Sequence, residues 1–186
     1  VLLHGLCDTA RLFKRLRKHL ESGGWEVHVP EFIPNNGTAG LEVLAQQVHD
    51  FIARTFAPGQ AIDLIGFSMG GIVGRYYLQR LGGLSRVHRF VTISSPHRGT
   101  WTAYLLQRKG VRQMRPNSAF LKDLDSDYSS LEKVRFTSIW TPTDLMIIPA
   151  MSSVIPQAKT VRIVVTHHAR MAGNERVMRA VEAGLL

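Results

Sequence analysis

Ala61-Ile62-Asp63-Leu64-Ile65-Gly66-Phe67-Ser68-Met69-Gly70-Gly71 is the stretch that decides how this chain is read. An apolar, strand-like run ends at Gly66, a bulky residue and a serine follow, and two glycines lead into a helical pattern. The Gly-x-Ser-x-Gly spacing predicts a tight strand-to-helix turn that holds a serine hydroxyl up at the edge of a sheet. Glycine suits such a turn because crowding forces backbone dihedrals that it adopts at little steric cost. The motif is short, so its weight rests on whether the rest of the chain supplies a base, an acid and an oxyanion site.

Outward from that turn, strand and helix patterns alternate. Val1-Leu2-Leu3 is a buried-strand run ending in His4-Gly5-Leu6. Asp8 or Thr9 is placed to cap a helix from about Ala10 to Leu20, which Gly23-Gly24 stops. A second strand is expected over Trp25 to Val29. Leu41, Leu44, Ala45, Val48, Phe51, Ile52 and Phe56 fall at helical spacing. After the Ser68 turn and its helix come strands over Val87 to Ser94, Val134 to Trp140 and Thr160 to Val165. A last helix starts near Asn174. Strands apolar on consecutive residues and separated by helices predict a mostly parallel sheet covered on both faces. The expectation is therefore a doubly wound α/β fold of about six strands, with residues 1–186 forming a single domain.

Composition narrows the function classes. At 186 residues, 45% hydrophobic and 20% charged, the chain has an ordinary globular composition and no repeats or low-complexity tracts. Its apolar runs are shorter than the about 20 residues a spanning helix needs. Cys7 is the single cysteine, which excludes an internal disulfide and a cysteine-built zinc site. The net charge of +9 is spread along the chain, with local clusters at Arg11 to Lys18 and Arg108 to Arg115. No nucleic-acid-binding motif accompanies it, so a solvated basic face is expected and nucleic acid is not. The chain starts at Val1, inside a strand and without an initiator Met. Further sequence is expected upstream, and with a signal peptide left open there, localisation is not legible.

Ligands of open α/β sheets bind outside the carboxyl ends of the strands. His4-Gly5, Ser68, Pro96-His97, Asp144 and His168 all sit just past the end of an expected strand. A serine hydroxyl becomes a useful nucleophile when a base accepts its proton and a carboxylate orients that base. With this type of turn the chain order is serine, acid, histidine. After Ser68 the carboxylates are Asp123, Asp125, Asp127, Glu132, Asp144, Glu175 and Glu182, and Asp144 alone closely follows a strand. Past Asp144 the histidines are His167 and His168, and the residues leave both as candidate bases.

Taken together these stretches resemble the α/β-hydrolase superfamily, and more closely its small bacterial triacylglycerol lipases and related esterases. The likeness is carried by Val1-Leu2-Leu3-His4-Gly5, by Gly66 to Leu78, by Thr92 to Thr100, by Thr143-Asp144 and by His168 with the helix after it. The resemblance implies Ser68 as nucleophile, Asp144 as orienting acid and His168 as general base, because His168 with Met171 matches the family's spacing. It also implies an oxyanion hole from the N–H groups of Leu6 and Met69. The implied activity is cleavage of carboxylic esters of small molecules or lipids, with no metal and no organic cofactor. A thioesterase, amidase or acyltransferase with the same triad is an alternative, as is a catalytically silent binding module.

Other features have plainer readings. His4 is expected to shape the oxyanion loop, His97 to be structural, and Cys7 to be a small loop residue. Asp123-Leu124-Asp125-Ser126-Asp127 begins like a calcium loop, but Tyr128 and Val134 stand where Gly and Glu would be needed. A solvated helix end is expected instead. Residues 100–133 fall where the family inserts a lid or cap. They read either as a packed crossover or as a basic, apolar rim for anionic lipid surfaces.

Overall fold

A computed structural model describes all of residues 1–186. Five parallel strands form one sheet: β1 (Leu2–Leu3), β2 (Ile62–Phe67), β3 (Val87–Ile93), β4 (Arg135–Trp140) and β5 (Lys159–Arg162), side by side in that order. Leu3, Gly66, Thr92, Ser138 and Thr160 form one row across it, so the carboxyl ends of the strands lie along a single edge. The count is five where about six strands are expected. Residues 25–29 run beside β1, but β1 offers two residues to pair with. A single bond, from the Leu2 N–H to the His28 carbonyl at 2.8 Å, joins the two.

Helices α1 (Lys14–Ser22) and α6 (Glu175–Gly184) cover one face of the sheet, and α2 (Leu41–Thr55) and α3 (Met69–Arg80) the other. Their apolar stripes account for this. Leu41, Leu44, Val48 and Ile52 of α2 are buried against Ile72 and Val73 of α3, and Val177 and Val181 of α6 pack with Leu16 and Leu20 of α1. Asn174 caps α6 by accepting from the N–H groups of Arg176 and Val177, at 3.0 and 3.4 Å. The cap expected at Asp8 or Thr9 is not made. The chain enters α1 through a 3₁₀ turn at Ala10–Phe13, and the Ala10 N–H is taken by Glu31 at 2.7 Å.

Residues 100–133 form a crossover rather than a detached cap. Two short helices, α4 (Lys109–Gln113) and α5 (Ala119–Asp125), bury Val111, Met114, Leu121 and Leu124 in the core with α2 and α3. The acidic run at the end of α5 keeps its carboxylates partly in solvent, as expected of a helix end, but each is also paired with an arginine of α3. Asp125 accepts from the fully buried Arg75 at 2.8 Å, and Asp123 and Asp127 pair with Arg80 at 2.9 and 3.3 Å. These carboxylates fasten the crossover to α3 and leave no calcium loop. No group of three or more His, Cys, Asp or Glu is arranged to hold a metal ion, and no helix is long and apolar enough to cross a membrane.

Candidate active site

β2 and α3 meet at Ser68, whose backbone has φ 53° and ψ −121°. A residue with a Cβ enters this region at a cost of order 1–3 kcal/mol. The turn is tight enough that a Cβ on Gly66 would lie 2.5 Å from the Gly71 Cα. A Cβ on Gly70 would strike the carbonyls of Leu3 and His4. The glycines thus permit the contact that holds Ser68 in place. Ser68 sits at the N-cap of α3, yet its side chain makes no capping bond, so the hydroxyl is not used to satisfy the helix.

Asp144 and His168 reach the same edge from the loops after β4 and β5. His168 Nδ1 lies 2.8 Å from Asp144 Oδ2, while Asp144 Oδ1 accepts from the N–H groups of Met146 and Ile147 at 2.9 and 3.0 Å. The two loops are tied by the hydroxyls of Thr141 and Thr143, which both donate to the Val165 carbonyl, at 3.0 and 2.8 Å. Burial alone would raise the Asp144 carboxyl. The hydrogen bond and charge of His168 and the two backbone N–H groups outweigh it, and its pKa lies below the ordinary 3.8. An ionised Asp144 keeps the proton on His168 Nδ1 and leaves Nε2 as the acceptor. The Phe67 ring, 4.8 Å away between centroids, backs the imidazole. His167, by contrast, is exposed and its ring bonds to nothing.

The loop after β1 lies beside Ser68. His4 is fully buried against Phe32. The Phe32 N–H donates to its Nε2 at 3.0 Å, so its Nδ1 donates to the Gly5 carbonyl, also at 3.0 Å. A histidine committed on both nitrogens shapes the loop and is not a base. Cys7 takes φ 58° and donates its N–H to the Asn35 carbonyl at 2.9 Å. The Leu6 N–H between them donates to no group of the chain. Met69 is the first residue of α3, where an N–H has no partner one turn back.

Leu6, Ser68 and His168 line one cavity of about 450 Å³. Its walls are largely apolar, with Leu105, Leu106, Val111, Met114 and Leu145 among them. One lining residue escapes the sequence reading. Asp8, placed there as a helix cap, turns its half-buried carboxylate into this cavity, and burial raises its pKa above the ordinary 3.8. Its position two residues beyond Leu6 is the signal that could have found it. His97 is not in the cavity. It is fully buried, 3.0 Å from the Thr92 hydroxyl, and burial followed by the Arg75 charge pushes its pKa well below 6.5.

A protein-family model described as palmitoyl protein thioesterase matches residues 1–123. Among solved structures, the mature form of the lipase BlEst2 from Bacillus licheniformis superposes with a TM-score of 0.75 at 15% identity, covering 98% of this chain and 90% of that one. A pyrethroid hydrolase from Sphingobium faniae superposes with a TM-score of 0.65 at 16% identity, covering 98% and 94%. Lipase B from Aspergillus fumigatus gives 0.68 at 20% identity, covering 93% of this chain and 45% of that one. At these identities the likeness is one of fold, and that fold is the α/β-hydrolase fold.

Proposed function

This chain belongs to the palmitoyl protein thioesterase family, hydrolases of the lipase, esterase and thioesterase kind, and from that premise we propose that it is a serine hydrolase cleaving carboxylic esters of apolar acyl groups. The reading takes residues 1–186 as one catalytic domain. Ser68 Oγ attacks the acyl carbonyl while His168 Nε2 accepts its proton, and Asp144 stabilises the imidazolium that results. The oxyanion forms against the N–H groups of Leu6 and Met69, each worth roughly 10²–10³ in kcat. Collapse of this intermediate breaks the bond to the leaving alcohol, which takes the proton from His168. Water then attacks the acyl-Ser68 ester by the same route in reverse, releasing the acid. The chemistry calls for no metal and no organic cofactor.

One observation carries the proposal: the 2.8 Å bond between Asp144 and His168 opens onto the apolar cavity that Ser68 also lines. Such walls favour an acyl chain over a polar substrate. Thioesters are the second reading, favoured by the family match over residues 1–123. A thiol with a pKa near ~8.5 leaves more readily than an alcohol, so a thioester asks less of His168 as an acid. Matched oxygen esters and thioesters of one acyl group, assayed over rising chain length, separate the two. A preference in kcat/KM for the oxygen ester at every length sustains the ester reading, and a preference for the thioester reassigns the leaving group. Turnover of neither, by a folded protein, defeats the hydrolase proposal and favours a silent binding module.

A further inference from the structure

Of twelve exposed large apolar side chains, eight fall in two short segments, residues 101–106 after β3 and 145–151 after β4. Both segments leave the carboxyl edge of the sheet and frame the mouth of the Ser68 cavity. Trp101, Leu105, Leu145 and Met151 are more than half exposed. This is not a loose flap. Thr100 and Thr102 donate to the Met146 carbonyl at 3.0 and 2.7 Å, the Ile148 N–H donates to the Thr100 hydroxyl at 2.8 Å, and the Trp101 N–H donates to the Ile148 carbonyl at 2.8 Å. The two segments make one fixed apolar collar, anchored below by Val111 and Met114 in the core.

The charge around the collar is mostly positive, and Asp125, the carboxylate that shares a hollow with Arg98, Trp101 and Met151, is paired with the buried Arg75 at 2.8 Å. Residues 64–122 and 145–174 contain no Asp or Glu at all. Of the other carboxylates near the mouth, Asp8 lines the cavity, Asp144 is buried behind His168, and Glu42 is paired with Lys109. Beside the collar, Arg98 and Arg112 are exposed and their guanidinium groups bond to nothing in the chain. Arg115 lies over the Tyr104 ring at 4.6 Å, a cation held against an amphipathic aromatic. Exposed apolar side chains next to unpaired guanidinium groups match the layering of a bilayer surface, in which acyl boundary and anionic headgroup lie a few ångströms apart.

We propose that the carboxyl edge of the sheet docks on an anionic lipid bilayer, with the collar among the headgroups and Arg98 and Arg112 against their phosphates. The docking does not depend on Ser68 chemistry and stands or falls apart from it. The test is co-sedimentation of the full chain with vesicles of phosphatidylcholine alone or with about a third phosphatidylglycerol, at low and high salt. Three double variants are compared with the parent chain: Arg98→Glu with Arg112→Glu, Trp101→Ser with Met151→Ser, and Lys18→Glu with Arg54→Glu. The last pair makes the same charge change on the later turns of α1 and α2, toward the amino edge of the sheet. Circular dichroism shows that each variant is folded.

Binding is expected to rise at least tenfold with the anionic lipid and to fall with salt. The Arg98/Arg112 pair should lose roughly fivefold or more for each residue changed, the Trp101/Met151 pair should lose binding to a similar degree, and the Lys18/Arg54 pair should lose little. Equal binding to both vesicle types, or no binding to either, overturns the proposal. So does an equal loss in the two charge-changed pairs, which would make net charge rather than this edge responsible. A concentration-dependent dimer, seen without lipid and abolished by the Trp101/Met151 pair, would give the collar to a second copy of the chain.

Discussion

Asp144 and His168 lie 24 residues apart in the chain and meet through a 2.8 Å bond between Oδ2 and Nδ1. Asp144 is 6% exposed, and its other oxygen is held by two backbone N–H groups, so the carboxylate has one orientation and the imidazole inherits it. Replacing Asp144 with Asn keeps an acceptor for those N–H groups but no longer dictates which nitrogen of His168 carries the proton. Turnover of a soluble ester should fall on the order of 10⁴-fold in kcat, with KM little changed. Steady-state kinetics beside a thermal melt checks that the loss is chemical.

The adjacent histidines should separate cleanly. In the proposed mechanism His168→Ala takes away the group that accepts the Ser68 proton, and it should lower kcat by at least ~10³-fold, by analogy with other triads. His167→Ala removes an exposed ring without a partner and should stay within about twofold. Paired assays on one ester decide between them.

Asp8 gives a prediction in which the sign matters. Its folded pKa is raised above 3.8, so the folded state holds a proton more tightly than the unfolded one. Stability therefore falls as pH rises from 3.8 through the folded value, and the ionised carboxylate is a standing cost at neutral pH. Asp8→Asn should raise Tm at pH 7, with the gain shrinking to nothing below pH 3.8. Asp144 has the opposite sign: its folded pKa is lowered, so its stabilisation is complete above 3.8 and is lost as pH falls through the folded value. Melts of both Asn variants from pH 3 to pH 8 test the pair.

Arg75 should be the costliest arginine to replace. It is fully buried, bonding Asp125 and Gln79 at 2.8 Å and the His97 carbonyl at 3.2 Å, with Tyr128 4.6 Å below it. Arg75→Met strands those acceptors and should cost about 3 kcal/mol, the low end for a broken buried pair because Asp125 is partly exposed. Arg80→Met at the rim should cost about 1 kcal/mol or less. Urea melts of the two variants rank them.

What was legible in the sequence was local. The Ser68 turn, the stripe of α2 and the Asn174 cap each need a few neighbouring residues, and the position of Asp144 just past a strand needs only chain order. What was not legible depends on distant partners. The strand expected at 25–29 lacked a ladder because β1 offers it two residues. Asp8 became a cavity residue because Glu31, from another loop, took the N–H that Asp8 was expected to cap. The acidic run at 123–127 could be denied a calcium ion from its spacing, but its arginine partners lie on α3, more than 40 residues back.

The central claim is that Ser68 is the nucleophile, and covalent labelling tests it most directly. A fluorophosphonate added to the full chain should yield a single adduct by intact mass, mapped to Ser68 by peptide sequencing. Ser68→Ala should take up none, and His168→Ala should label far more slowly. An unlabelled, folded parent chain, or undiminished labelling of Ser68→Ala, would contradict the account.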